Sequence, residues 1–220
     1  MRPGSFGYDP DTTMGKRAIG FQREIVAEAA RLICEERLTD YRLAKHKAAE
    51  RLGLSARSQM PENSLIHEAV IEYQRLFGGA EYAEHLQALR RTAVRAMKLL
   101  SEFTPRLVGA TVSGATTDAH LVRLHGFADK PEMLDMFLQD RNIPYETSDR
   151  RYRYPDGRTE DVPTCEFMAG EIGIEMAMFP VEQLRRAPLS PHDGLPMKRL
   201  TLEQAERLAE EPIELASEAP

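Results

Sequence analysis

No apolar run in the chain approaches the roughly 18 residues that a membrane-spanning helix needs, so a transmembrane segment is not expected. The first residues, MRPGSFGYDPDTTMGKR, lack the apolar core of a secretory signal. Residues 1–17 read instead as a disordered leader, with Met14 as an alternative start. Cysteine is scarce: Cys34 falls in an expected helix and Cys165 in an expected strand. Two cysteines alone make no zinc site, and two packed thiols fit a cytoplasmic protein.

An excess of positive charge is also lacking. The chain has 29 Lys and Arg against 35 Asp and Glu. Residues 18–105 hold 13 against 12, and residues 106–185 hold 9 against 14. A general nucleic-acid surface needs a basic face, so nucleic acid is not the expected partner. There is no G-x-x-x-x-G-K-[ST] phosphate loop, no G-x-S-x-G nucleophile turn and no internal repeat.

What is present divides into two parts. Residues 18–105 carry apolar positions at helical spacing. In REIVAEAARLICEER these are Ile25, Val26, Ala29, Leu32 and Ile33. A second helix, TDYRLAKHKAAERLG, opens on Thr39 or Asp40 as its cap and stops at Gly53. A third starts at Asn63 or Ser64 and breaks at Gly78-Gly79; a fourth runs from about 81 to 102, ended by Pro105. Four amphipathic helices with short connections predict a bundle.

From Leu107 the period changes. Strands are expected at 107–112 and 121–127, a helix at 131–141 and a strand near Tyr145. Pro155-Asp156-Gly157-Arg158 is a hairpin turn signal, the return strand is Val162 to Ala169, and residues 173–179 close the sheet before Pro180. The tail, LRRAPLSPHDGLPMKRL, is a Pro- and Gly-rich loop, and Thr201-Leu202-Glu203-Gln204 is a capping box opening a last helix. The expected fold class is therefore α+β, an N-terminal helical bundle with a small mixed or antiparallel sheet. The expected divisions are a helical domain at 18–105, an α+β core at 106–185 and a loop, helix and loose tail at 186–220.

The stretch LVGATVSGATTDAHLVRLHGFAD, with RLICEERLTDYRLAKHKAAERLG and RRAPLSPHDG, resembles a family of bacterial proteins with a polymerase-β-type nucleotidyltransferase-like core. Members are sometimes labelled nucleotidyltransferase or UDP-N-acetylmuramate–alanine ligase; the missing phosphate loop and the short chain speak against the ligase label. The resemblance implies two-metal chemistry, in which cations roughly 3.5–4 Å apart are held by a pair of carboxylates at i and i+2 of one strand and a third on a neighbour. It also implies that the Ser113-Gly114 turn grips phosphate. Counted from that turn, the i and i+2 slots fall at Leu121 and Arg123, neither of which can bind a cation, while Glu175 falls where the third carboxylate belongs. Arg123 and Glu175 are expected to face each other across the sheet, a guanidinium standing where a metal would sit.

The implied function is that of a nucleotidyltransferase-like protein without its acidic pair, catalytically degenerate and serving ligand binding or protein interaction. Its phosphate or nucleotide contacts would be Ser113, Gly114, Arg123 and His125. No cofactor and no metal is expected. One alternative is an active nucleotidyltransferase with rearranged ligands Asp118, Asp129 and Glu175, which alone would require Mg²⁺. Another is a nucleic-acid-associated protein using Arg42, Lys45, Lys47 and Arg51 with Arg150, Arg151 and Arg153 beside Tyr152 and Tyr154. Asp118, His120, His125 and Asp129 have no known metal-ligand spacing. A nucleotide or phosphate ligand, a protein partner and a second copy of the chain are the partners left open, and a membrane is not among them.

Overall fold

At Pro105 the apolar period shifts from helical to alternating, and the architecture shifts with it. The computed structural model describes residues 10–54 and 60–216, the side chains of 10–19 excepted. Helices α1 (Pro10–Glu36), α2 (Tyr41–Arg51) and α3 (Asn63–Phe77) enclose a first core of Ile25, Ala29, Leu32, Ile33, Ala44, Ala48, Ile66 and Val70. The Asp40 carboxylate caps α2 by accepting from Arg42 N and Leu43 N, and Gly53 (φ 66) follows that helix. Residues 10–17, part of the expected leader, belong to α1, and residues 1–9 lie outside the described residues.

Helix α4 (Gly79–Leu99) departs from the expected four-helix bundle. Its Leu89, Ala93, Ala96 and Met97 join the core of the sheet, not that of α1–α3. An amphipathic stripe says which side of a helix is buried but not against what. The sheet has the order β1-β2-β5-β4-β3. Its strands are β1 (Arg106–Val108), β2 (Val122–Phe127), β3 (Tyr145–Arg153), β4 (Thr159–Ala169) and β5 (Ile172–Phe179). Only the β2–β5 pairing is parallel. The molecule is thus an α+β protein with a mixed five-stranded sheet.

The strand expected over 107–112 stops at Val108. Gly109 has φ 78 and ψ −150, a region essentially reserved for glycine, and the chain turns there into a four-residue helix, α5 (Ala110–Ser113). Alternation then sorts the two faces of the sheet. Val122, Leu124, Cys165, Phe167, Ile174, Met176 and Met178 point into a core with α4, with Leu134, Phe137 and Leu138 of α6 (Glu132–Asp140) and with Ala205 of α7 (Leu202–Glu210). Burying each large apolar side chain there is worth roughly 1.5–3 kcal/mol. The capping box at Thr201 and Gln204 forms as expected.

The opposite face carries Arg123, His125 and Phe127 of β2, Glu175, Ala177 and Phe179 of β5, and Arg150 and Tyr152 of β3. The small residues Ala177 and Thr164 are register partners on this face, and the Tyr152 ring centroid lies 5.3 Å from that of His125. Among the described residues no helix is long and apolar enough to cross a membrane.

Candidate binding cleft

A cavity of about 780 Å³ opens on the polar face of the sheet. Its floor is Arg123, His125, Arg150 and Tyr152; α5 and the following residues supply Ser113 and His120; α2 and α3 supply Tyr41, Arg42 and His67; the tail loop supplies His192 and Lys198. The tail loop crosses the cleft as a strap. Leu189 N donates to Arg153 O at 2.7 Å and Met197 N to Pro188 O at 2.8 Å, while Asn63 Nδ2 donates to Pro191 O at 3.1 Å. The His192 ring stacks on His67 (centroids 4.4 Å apart, planes at 22°) and lies 5.0 Å from Tyr41, whose hydroxyl is 3.0 Å from His67 Nδ1.

At the centre of the floor, Arg123 and Glu175 are register partners on β2 and β5. Arg123 Nε lies 3.3 Å from Glu175 Oε1, and Arg150 Nη2 lies 3.0 Å from Oε2. One largely buried carboxylate therefore faces two guanidinium groups. The contact with Arg123 is Coulombic, because its Nε lacks hydrogen-bonding geometry to any acceptor. Burial, then the charge of Arg150, holds the Arg123 guanidinium below its ordinary pKa, opposed by Glu175.

Of the two expected slots, Arg123 lines the cavity and Leu121 does not. Leu121 lies just before β2, and its side chain packs over Gly173, where a Cβ would come within 2.5 Å of Leu121 Cδ2. The pair on the strand's cleft face is Arg123 and His125. His125 is 1% exposed, and its Nδ1 accepts from Arg199 Nε at 3.0 Å. Arg199 is held in turn by donating from Nη1 to Gln183 O at 2.8 Å, and its guanidinium lies 4.9 Å from the Phe179 ring centroid. Burial and the neighbouring Arg199 and Arg150 charges keep the His125 pKa well below the ordinary histidine value. Burial lowers the pKa of Arg199 to about 10.

Ser113 lines the cleft, yet the turn around it is closed on itself. Val112 N and Ser113 N donate to Gly109 O, Gly114 N donates to Ala110 O, and Ala115 N donates to Ser113 Oγ. Gly114 O accepts from the Tyr82 hydroxyl. The N–H groups expected to meet a phosphate at Ser113-Gly114 are thus used within the turn.

The three carboxylates of the rearranged-ligand alternative do not converge. Asp118 pairs with Arg37 at 2.7 Å and lines a separate cavity of about 320 Å³. Glu175 sits opposite Arg123, and exposed Asp129 follows the far end of β2, six residues and roughly 20 Å of extended chain away. His120 Nδ1 accepts from Thr117 N at 2.9 Å, and among the described residues no three His, Cys, Asp or Glu side chains are grouped to hold a metal.

The basic cluster on α2 is largely spent locally. Lys45 donates to Pro61 O and Asn63 Oδ1, while Lys47 and Arg51 pair with Glu36; only Arg42 reaches the cleft. On the hairpin, Arg150 faces the cleft and Arg151 pairs with Asp161. Sequence reasoning missed His67 and His192. They come from α3 and the tail loop, and no local pattern links them.

Comparison of the chain with protein-family models and with curated proteins gives no match.

Proposed function

We propose that the chain is a nucleotidyltransferase-like protein that binds a nucleotide in its cleft without divalent cations and does not carry out two-metal nucleotidyl transfer. The observation that carries this reading is Glu175 clamped between Arg123 and Arg150. Two divalent ions need several unneutralised oxygen ligands in one place. Here Glu175, beside the floor, is already matched by two guanidinium groups, and those groups would repel a cation. Four cationic side chains line the cavity: Arg42, Arg123, Arg150 and Lys198. Of the two carboxylates that also line it, Asp40 caps α2 and Asp193 accepts from Leu195 N. The stacked rings of His67 and His192, with Tyr41 tilted beside them, offer a wall on which a planar base can lie.

A thermal-shift screen of nucleotides with Mg²⁺ and with EDTA tests the reading. A nucleotide at 100 times its Kd adds roughly 2.7 kcal/mol of stability. That stabilisation is expected in EDTA, with no pyrophosphate released when Mg²⁺ is present. Binding that requires Mg²⁺, is lost in Glu175→Gln and is accompanied by pyrophosphate release would refute it.

A further inference from the structure

The floor of the cleft contains hydrogen-bond donors with nothing to donate to. Arg199 Nε donates to His125 Nδ1, and a guanidinium has no lone pair to offer in return. His125 Nδ1 must therefore be the acceptor, which fixes the neutral tautomer with its proton on Nε2. That N–H is buried and has no acceptor, and Arg123 Nε, two residues along β2, has no well-aligned hydrogen bond, its ion-pair partner Glu175 Oε1 lying 3.3 Å away. Arg199 Nη2, on the tail and outside the cleft lining, is a further buried donor without a partner, its guanidinium lying 5.0 and 4.9 Å from the Phe127 and Phe179 ring centroids. A buried donor left unmatched costs roughly 1–3 kcal/mol, so the two on the cleft face of β2 mark a place that an added acceptor would complete.

All three orphaned groups are donors. Glu175, the carboxylate next to these donors, is taken by Arg123 and Arg150, while the exposed Glu166 and Glu146 lie on the outer, β4–β3 side of the same face. A group with several lone pairs and a negative charge would find neutral and charged donors at once.

We propose that the sheet floor around His125, Arg123 and Arg150 is an oxyanion site, which receives a phosphoryl or carboxylate group directly on side-chain N–H donors. This deepens the nucleotide reading and rests on its claim that no metal occupies the floor. It moves the anion from the Ser113-Gly114 turn, whose N–H groups are used internally, to β2 and β3. The His125 Nε2–H is the discriminating donor, since its tautomer is locked by Arg199. Arg150, half-buried on the same floor, supplies charge.

The test titrates the full chain with inorganic phosphate, acetate, adenosine and ATP, all in EDTA, by thermal shift and by ¹⁵N–¹H spectra of the histidine rings. Phosphate and ATP are expected to bind and to move the His125 Nε2–H signal. His125→Phe, whose apolar ring suits the neighbouring Phe127, Phe179 and Tyr152, should fold and bind phosphate at least about tenfold more weakly. Arg150→Ala, at a half-buried position, should do the same and guards against misfolding of the first variant. Acetate binding as tightly as phosphate would support the site and assign it to carboxylates. Phosphate binding without ATP binding would support the site and overturn the nucleotide reading. Adenosine binding with no response to either anion would overturn the site and leave the nucleotide reading standing. Stabilisation by phosphate with an unmoved His125 signal would also overturn the site, the N–H then being directed at the Tyr152 ring.

Discussion

At the scale of single residues, four histidines set how the protein should respond to acid. Burial lowers the pKa of His67, His120, His125 and His192, to about 4 for His120 and His192. Arg123 adds to the effect at His120 and His67 adds to it at His192, while the Asp193 and Glu68 carboxylates oppose it at His67. In the unfolded chain these rings regain a pKa near 6.5. Between pH 6.5 and about 4 the unfolded state therefore binds protons that the folded state refuses, and stability falls as pH falls through that window. Above pH 6.5 both states are neutral and the effect vanishes. The lowered carboxylates, such as Glu28 and Glu36, lose their contribution only at lower pH. Urea unfolding at pH 7.5 and 5.0 should differ by on the order of 1–2 kcal/mol for each of His120 and His192. His120→Gln should flatten the profile, and equal stability at the two pH values would show that these rings are protonated in the native state. At this scale the sequence was partly readable. The parity of β2 places His125 with Arg123, and Glu175 was recognisable as Arg123's partner. The stacked pair His67–His192 was not, because its members lie 125 positions apart and neither interrupts a local pattern.

At the scale of elements, the reading succeeded where a period or a turn residue acts locally and failed where a single backbone conformation decides. Pro155-Asp156-Gly157-Arg158 joins β3 and β4, and Thr201 with Gln204 opens α7, because those residues act on their own neighbours. The strand expected through residue 112 ends instead at Gly109, whose conformation an apolar pattern does not reveal. This gives a clean test of backbone strain. A Cβ at Gly109 would have room, its nearest neighbours being Arg123 Cδ at 3.8 Å and Cβ at 3.9 Å. Gly109→Ala should nevertheless cost about 1–3 kcal/mol in chemical denaturation, since φ 78 with ψ −150 is strained for any residue with a side chain. The loss should appear with α5 displaced and Arg123 re-exposed. A cost below about 0.5 kcal/mol would mean that the turn relaxes without strain.

At the scale of the whole molecule, the two larger apolar cores meet across a polar cleft, with a third cluster of Phe127, Tyr152 and Phe179 on the sheet's cleft face. One core belongs to α1–α3; the other belongs to the sheet with α4, α6 and α7. Between them stand the Gln74 Nε2 bond to Thr116 O (2.8 Å), the Arg37–Asp118 pair (2.7 Å), Ala115 packed into the α1–α3 core, and the strap with His192 at its tip. Amphipathicity could announce two sets of buried faces, but the strap is a Pro-rich loop whose docking depends on aromatic stacking from afar. The strap is also the element that closes the cleft, so its attachment governs access to the floor. His192→Ala removes a stack worth roughly 0.5–1.5 kcal/mol, and with it one of the strap's two contacts to α2 and α3, leaving the Asn63 bond to Pro191. Native-state hydrogen exchange of this variant should show lost protection at Ser190, Gly194 and Met197, whose amides hold the strap. Protection of β4 and β5, paired over their length in the sheet centre, should be unchanged, because local opening does not cross a well-packed core. Uniform loss across both cores would mean that the strap is part of one cooperative unit, and that the cleft opens only when the protein unfolds.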